Sequence, residues 1–265
     1  ELLTDRIDPD AFFDHVAAAD SAVLLLDYDG TLAPFREDRD RAVPYSGVRE
    51  RLEELVTEPG SRTVLISGRP VEDVLRLTDL DGAVEVWGTH GWERRRADGT
   101  YEPPELPGET GAVLDAAERY LREELHVGER CERKPASVAL HVRSVPDDRA
   151  EREVESAREH WSGLLDTDRL AIEPFDGGLE LRVAGRDKGD AVDEILEEVP
   201  GEPAVAYLGD DWTDEDAFEA LGERGLRVLV RESYRDTAAD WWIEPPEELL
   251  RFLDRWTAAR RAGTH

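Results

Sequence analysis

Two acids separated by one residue, Asp27 and Asp29, end an apolar run in the string VLLLDYDGTL at residues 23–32. Carboxylates this close take different roles only if the chain coils after the first. Asp27 then points into a crevice as a nucleophile, and Asp29 stands over it as proton donor. A carboxylate that attacks phosphorus forms an aspartyl-phosphate, which divides one hard displacement into two easier ones. Spacing alone is a weak signal here, because Asp and Glu number 63 and the same triplet recurs at Asp38-Arg39-Asp40. The apolar run before Asp27 and the Gly30-Thr31 after Asp29 set the first pair apart, since solvated acids would sit on a polar face.

Three further groups bear on phosphate chemistry. Ser67, Gly68 and Arg69 follow the run VLI, where a hydroxyl and backbone N–H groups at a strand-to-helix turn suit a phosphate oxygen. Ser-Gly is equally a turn or a helix cap, and Arg69 has the substrate or the acidic surface as alternative partners. Lys188, in RDKGDAV, opens a helical pattern, where the helix dipole disfavours a cation. A compact ammonium is well shaped to hold a phosphoryl oxygen and Asp27 together as charge develops. Of the 33 basic residues all but Lys134 and Lys188 are Arg, and both lysines fall in motif strings. Asp210, Asp211 and Asp214 cluster in LGDDWTDEDAF after another apolar run. Hard oxygen ligands with room for water suit Mg²⁺, which would offset the repulsion between Asp27 and a phosphate.

The elements that must position these residues alternate between strand and helix. The run at 23–26 reads as a strand buried on both faces, and its carboxyl end is where an open α/β sheet places its chemistry. Helical patterns cover 10–19, 48–56 and 71–77, with strands expected at 62–66 and 83–87. Residues 101–108, rich in Pro and Glu, read as a linker. An αββαββ order is expected next, with helices at 109–125 and 147–161 and three of its four strands placed at 137–143, 170–173 and 179–183, the last two joined across Asp176-Gly177-Gly178. The first rhythm resumes with helix 189–198, strand 204–208, helix 214–221, strand 226–230 and a last amphipathic helix over 246–257. The expected fold class is therefore α/β, a Rossmann-like parallel-sheet core interrupted by an inserted α+β domain. The expected divisions are 1–103 and 186–265 for the core and 104–185 for the insert.

A net charge of −30 argues against nucleic acid or an anionic membrane as partner. No apolar run approaches the roughly 18 residues of a membrane span, and no basic-plus-apolar leader is present. A single cysteine, Cys131, excludes an internal disulfide and fits a reducing, cytoplasmic setting. An acidic, Lys-poor surface suits a salt-rich cytoplasm; at about 1 M salt the screening length is roughly 3 Å, so distant acids barely oppose an anionic substrate. A GC-rich genome is the alternative cause of the missing lysines.

Taken in order, DYDGT, Ser67, Lys188 and GDDWTD resemble the four motifs of the haloacid dehalogenase superfamily of phosphatases. GTHGWE at 88–93, ERKPASVALHVR at 132–143, GGLELRV at 177–183 and TAADWWIEPPEELLRFL at 237–253 narrow the resemblance to trehalose-6-phosphate phosphatases with a type IIB-like cap. The resemblance covers nearly the whole chain. It implies a Mg²⁺-dependent phosphatase acting on a small-molecule sugar phosphate, trehalose 6-phosphate, with Asp27 as nucleophile, Asp29 as general acid then base, and Ser67 and Lys188 on the phosphate. It places Mg²⁺ on Asp27, the backbone carbonyl of Asp29 and Asp210, with Asp214 or Asp211 supporting through water. It makes Glu132, Lys134, His141 and Glu180 contacts to the distal glucose. His90 either braces its loop or touches substrate, and Arg143 and Arg182 either touch substrate or form salt bridges. Trp92 and Trp212 are candidates for stacking on a sugar, whereas Trp241 and Trp242 are expected to pack the last helix against the core. Trp212 stands where the family often has a basic residue. The expected state is a monomer, with a trehalose-phosphate synthase as the partner to test for. The alternatives are a phosphatase for sucrose 6-phosphate, glucosylglycerol phosphate or mannosyl-3-phosphoglycerate, or a silent phospho-sugar-binding subunit.

Overall fold

Five consecutive apolar residues form the central strand β1 (Ala22–Leu26), every one buried. Alternation along it divides the core in two. Leu24 and Leu26 face Val16, Leu52 and Leu253, while Val23 and Leu25 face Val192, Ile195 and Phe218. A computed structural model describes residues 1–36, 38–80, 84–143, 145–165, 169–175 and 177–263. The chain divides into two compact units, Glu1–Glu102 with Asp187–His265, and Pro103–Arg186.

In chain order the first unit begins with α1 (Pro9–Ala18), β1, α2 (Val48–Leu55), β2 (Ser61–Ile66), α3 (Val71–Thr78), β3 (Glu85–Gly88), β4 (Glu93–Arg95) and β5 (Tyr101–Glu102). The second unit holds α4 (Thr110–Arg119), a π-helical turn (Tyr120–Glu124), β6 (Cys131–Lys134), β7 (Ser137–His141), α5 (Asp147–Ser162), β8 (Leu170–Phe175) and β9 (Gly178–Val183). The first unit then resumes with α6 (Lys188–Glu197), β10 (Ala204–Gly209), α7 (Thr213–Leu221), β11 (Leu226–Val230), β12 (Trp241–Ile243) and α8 (Glu247–Gly263).

The first unit is an α/β fold around an eight-stranded sheet ordered β12-β11-β10-β1-β2-β3-β4-β5. Strands β12 through β3 run parallel, and β4 and β5 continue the sheet antiparallel. β1 lies between β2, next in sequence, and β10, which arrives much later. Strand order reverses there, so the crevice at its carboxyl end is the position this architecture offers a ligand. The second unit is a four-stranded antiparallel sheet ordered β6-β7-β9-β8. Its apolar residues Val138, Leu140, Leu179 and Leu181 are buried with Leu114 of α4 and Trp161 of α5.

Several elements depart from the sequence expectations. The expected linker at 101–108 starts with strand β5, paired to β4. β4 has no apolar pattern to betray it, yet Glu93 and Arg94 are buried because ion pairs and hydrogen bonds satisfy them. β12 is three residues of Trp-Trp-Ile, too short for periodicity, so Trp241 and Trp242 are sheet residues; Trp241 still packs on Phe252 of α8. The last helix runs on to Gly263, because Arg260 caps the backbone oxygens of Val16, Ala19 and Gly60 and so belongs to the core despite its charge. The expected strand start at Ala83 and the turn residue Asp176 lie outside the described residues.

Candidate active site

Asp27 stands one residue beyond β1 and remains in the sheet ladder, its N–H donating to Leu208 O at 2.9 Å. The chain then coils. Leu32 N–H returns to Tyr28 O, and Gly30 N–H donates to Ala33 O. Gly30 takes φ +87°, and a Cβ there would strike the Asp210 carboxylate. Only glycine permits this turn and this approach. The coil separates the two acids as their spacing requires: Asp27 is 3% exposed, while Asp29 is half-buried.

Lys188 opens α6, where Asp187 forms a capping box with Asp190 and satisfies the helix end without it. Its ammonium turns inward and donates to Asp27 Oδ1 at 2.6 Å and Asp214 Oδ1 at 2.7 Å. Burial would lower that ammonium, but Asp214 and Asp27 hold it above its ordinary value. Asp214 is saturated. Tyr207 donates its hydroxyl to Oδ1 at 2.6 Å, and the N–H groups of Asp210 and Asp211 each reach Oδ2 at 3.0 Å. Asp210, beside it, is the opposite case, buried with neither oxygen in a hydrogen bond among the described residues.

Ligand oxygens of Asp27, Asp210 and Asp214 lie within 4.8 Å of one another. Three buried carboxylates thus face one ammonium. Burial raises the Asp27 carboxyl to about 7, with Asp214 adding to the rise and Lys188 opposing it. Burial, then Asp27 and Asp214, push Asp210 well above the usual carboxylate range. Asp27 Oδ2 and both Asp210 oxygens accept no hydrogen bond among the described residues. Buried carboxylate oxygens left without hydrogen-bond partners fit a small hard cation, whose charge would favour their ionised form. The four donors on Asp214 make it the organiser of that site.

The loop after β2 brings Ser67 to the next strand end, 1% exposed, with its hydroxyl accepting from Arg69 N–H at 3.1 Å. Arg69 reaches neither the acidic surface nor solvent. It is buried against Asp29, with Nε to Oδ2 at 2.6 Å and Nη2 to Oδ1 at 2.7 Å. Gly68 passes under His90, whose Nε2 would lie 2.6 Å from a Cβ at that position. His90 holds φ +54° and its N–H donates to Ser67 O at 2.9 Å, so its backbone braces the Ser67 turn. Glu93 completes the brace, accepting from Val71 N–H, Thr89 Oγ1 and Tyr101 OH.

The candidates for the sugar hydroxyls, Glu132, Lys134, His141 and Glu180, lie in the second unit, on one face of one sheet. Pairing aligns Glu132 with Ala139 and Glu180, and Lys134 with Ser137 and Arg182. With His141 these alternate with the apolar residues, so they occupy the face opposite the helices. Lys134 donates to Glu180 at 2.8 Å, Ser137 reaches the same oxygen at 2.7 Å, and His141 pairs with Glu132 at 2.8 Å. Arg182 forms an ion pair with Glu173. Trp212 is 66% exposed beside Asp211, under the Arg235 guanidinium, and Trp92 is half-buried.

Sequence reasoning missed Tyr207 and Glu93. A hydroxyl in the middle of a fully buried strand needs a partner, which is the signal Tyr207 carried. Glu93 carried only its place at the end of GTHGWE, which gave it no role, since a lone Glu after Trp is otherwise indistinguishable from a surface acid.

The family described as trehalose-phosphatase matches residues 25–242. A trehalose-phosphate phosphatase of Mycobacterium marinum is 32% identical over 88% of this chain and 60% of its own length. One from Mycobacterium tuberculosis is 32% identical over 96% of this chain and 65% of its own. The chain therefore spans about three fifths of the length of these curated relatives. The C-terminal domain of C. albicans trehalose-6-phosphate phosphatase superposes with a TM-score of 0.76, at 19% identity, over 97% of this chain and 99% of that one. A trehalose-6-phosphate phosphatase from Aspergillus fumigatus gives 0.66 at 22% identity, over 97% and 98%. Identities this low establish a shared fold.

Proposed function

Because the chain belongs to the trehalose-phosphatase family, we propose that it hydrolyses trehalose 6-phosphate to trehalose and inorganic phosphate through an aspartyl-phosphate on Asp27. One observation carries this reading: the buried Asp27 has Oδ1 pinned by Lys188, while its Oδ2 accepts no hydrogen bond among the described residues. A carboxylate oriented through one oxygen presents the other for attack.

Asp27 Oδ2 attacks phosphorus as the bond to the sugar oxygen breaks, and Asp29 delivers a proton to that oxygen. Asp29, now ionised, takes a proton from the water that attacks the phosphorus of the aspartyl-phosphate. Phosphate leaves and Asp27 is restored. Lys188 and the Ser67 hydroxyl hold phosphoryl oxygens during both displacements, with the Gly68 N–H alongside. Asp27, Asp210 and the Asp29 carbonyl would hold Mg²⁺, with Asp214 or Asp211 supporting through water. Bound there, Mg²⁺ withdraws charge from the phosphoryl group and offsets the carboxylates.

Residues 104–185 act as a cap whose polar sheet face, with Glu132, Lys134, His141 and Glu180, takes the hydroxyls of the distal glucose. Carboxylates accept from hydroxyls and an ammonium donates to them, so this set suits a sugar. The chain is read as a cytoplasmic monomer, tested by fractionation and light scattering; among the described residues no helix is long and apolar enough to cross a membrane. The excess of 63 acidic over 33 basic residues supports a salt-rich setting, tested by unfolding across a KCl series.

Phosphate release from a panel of trehalose 6-phosphate, sucrose 6-phosphate, glucosylglycerol phosphate and mannosyl-3-phosphoglycerate, with and without Mg²⁺, tests the assignment. Trehalose 6-phosphate should give the highest kcat/KM. Another sugar phosphate in first place would move the substrate, and tight binding with no phosphate release would make the chain a phospho-sugar sensor.

A further inference from the structure

The turn from β10 into α7 is clamped from two sides. From inside, Asp214 Oδ2 takes the N–H groups of Asp210 and Asp211, both at 3.0 Å. From outside, Arg235 takes their carbonyls, donating Nε to Asp210 O at 3.1 Å and Nη2 to Asp211 O at 2.7 Å. Its remaining donor, Nη1, goes to Glu215 Oε1 at 2.5 Å and Asp236 O at 2.8 Å. Glu215 is itself fixed, accepting from Thr237 Oγ1 at 2.8 Å and Ala238 N–H at 2.7 Å. Arg235 Cζ also lies over the Trp212 ring, 4.6 Å from its centre. Arg231 adds a weaker contact to Asp210 O at 3.3 Å and leaves its Nη1 3.9 Å from Asp210 Oδ2.

The Asp210 side chain has nothing comparable. Neither of its oxygens accepts a hydrogen bond among the described residues, so its aim depends on the backbone that carries it. We propose that Arg235 is a positioning residue for the divalent-cation site, fixing the peptide planes of Asp210 and Asp211 so that the Asp210 carboxylate faces Asp27. A planar fork spanning two carbonyls and a carboxylate does this; a lysine ammonium reaches only one of them.

This inference rests on the cation site of the proposed function, and the sign of one measurement separates it from simple electrostatics. Arg235 is a positive charge near the cation, so on charge alone its removal would tighten Mg²⁺ binding. Positioning predicts weaker binding. Mg²⁺ affinity of the substrate-free protein, by calorimetry, should weaken about tenfold in Arg235→Gln, in the 10- to 100-fold range typical of groups that orient metal ligands. Arg235→Lys keeps the charge and should weaken almost as much. Turnover in both variants should recover when Mg²⁺ is raised in proportion. Glu215→Gln leaves Arg235 in place without its anchor and should shift the affinity the same way by a smaller factor, which tests the idea even if the Arg235 variants do not fold. Unchanged or tighter Mg²⁺ binding in these variants, with the wild type binding normally, overturns the inference alone. A wild type that binds no Mg²⁺ removes the cation site and the inference together.

Discussion

Both carboxylate oxygens of Asp29 accept hydrogen bonds from Arg69, Oδ2 from Nε at 2.6 Å and Oδ1 from Nη2 at 2.7 Å. The fork fixes where Asp29 points and suits it as the base of the second displacement. Donating a proton in the first requires Asp29 to take one up and part from one of these N–H groups. Arg69 in turn lies across Tyr28, 5.7 Å from its ring centre, and the Tyr28 hydroxyl is tied to Ala42 O at 2.7 Å.

Leaving-group dependence follows from that pairing. Asp29→Asn is expected to lower kcat for a sugar phosphate by about 10²–10⁴, the usual contribution of a positioned acid–base group. With p-nitrophenyl phosphate, whose leaving group needs no proton, formation of the phospho-enzyme should be far less affected. Pre-steady-state release of nitrophenolate measures this; equal losses for both substrates would take the acid role away from Asp29.

Asp210 and Asp214 should respond oppositely to loss of charge in metal-free protein. Asp210→Asn removes the charge of a buried carboxylate that accepts no hydrogen bond among the described residues and lies beside Asp27 and Asp214, and should raise stability by about 1 kcal/mol, while abolishing stabilisation by Mg²⁺. Asp214→Asn breaks a buried network of Lys188, Tyr207 and two backbone N–H groups, and should cost about 3–5 kcal/mol. Denaturant unfolding in EDTA, then in Mg²⁺, distinguishes them. Equal destabilisation of both would show that Asp210 has partners of its own.

The second unit's sheet face should govern the sugar and not the chemistry. Glu180→Gln and Lys134→Met are expected to raise KM for trehalose 6-phosphate by about tenfold or more, since each leaves a hydroxyl partner unmatched. Turnover of p-nitrophenyl phosphate should stay within about twofold of wild type. Parallel losses on both substrates would make these residues structural.

Acid stability should depend on Glu198. Arg94, against the opposing effect of burial, and Arg62 hold its carboxyl down at about 2, from an ordinary 4.5. A depressed folded-state pKa means the unfolded chain binds the proton more readily. Glu198 therefore contributes stability above pH 4.5 that is lost as pH falls towards 2. Glu198→Gln should lower Tm at pH 7 and flatten the decline between those limits. An unchanged acid limb would show that the pairs with Arg94 and Arg62 contribute nothing.

Residues that act through their own sequence neighbours were legible in the sequence. Asp27 follows five buried apolar residues, Ser67 follows β2, and Asp210 follows β10, so strand, turn and acid are read together. Lys188 was legible through a conflict, a cation at a helix start, which the structure resolves by turning it onto Asp27 and Asp214. What stayed hidden acts across the fold. The sequence leaves Arg69 between substrate and surface because its partner is 40 residues away, and Arg235 reaches 25 residues back to Asp210. β4 escaped because its buried charges look exposed until Glu85 and Glu198 are seen to meet Arg94. Periodicity reports which face is apolar, and it is silent on a polar side chain whose burial depends on a distant partner.

Phosphate release by wild type and Asp27→Asn, side by side with trehalose 6-phosphate and saturating Mg²⁺, tests the central claim most directly. Wild type should release phosphate continuously, and Asp27→Asn should fall by about 10³ or more while keeping a native unfolding transition. Comparable release by the folded variant, or none from the wild type, would contradict the assignment of Asp27 as the group that takes the phosphoryl.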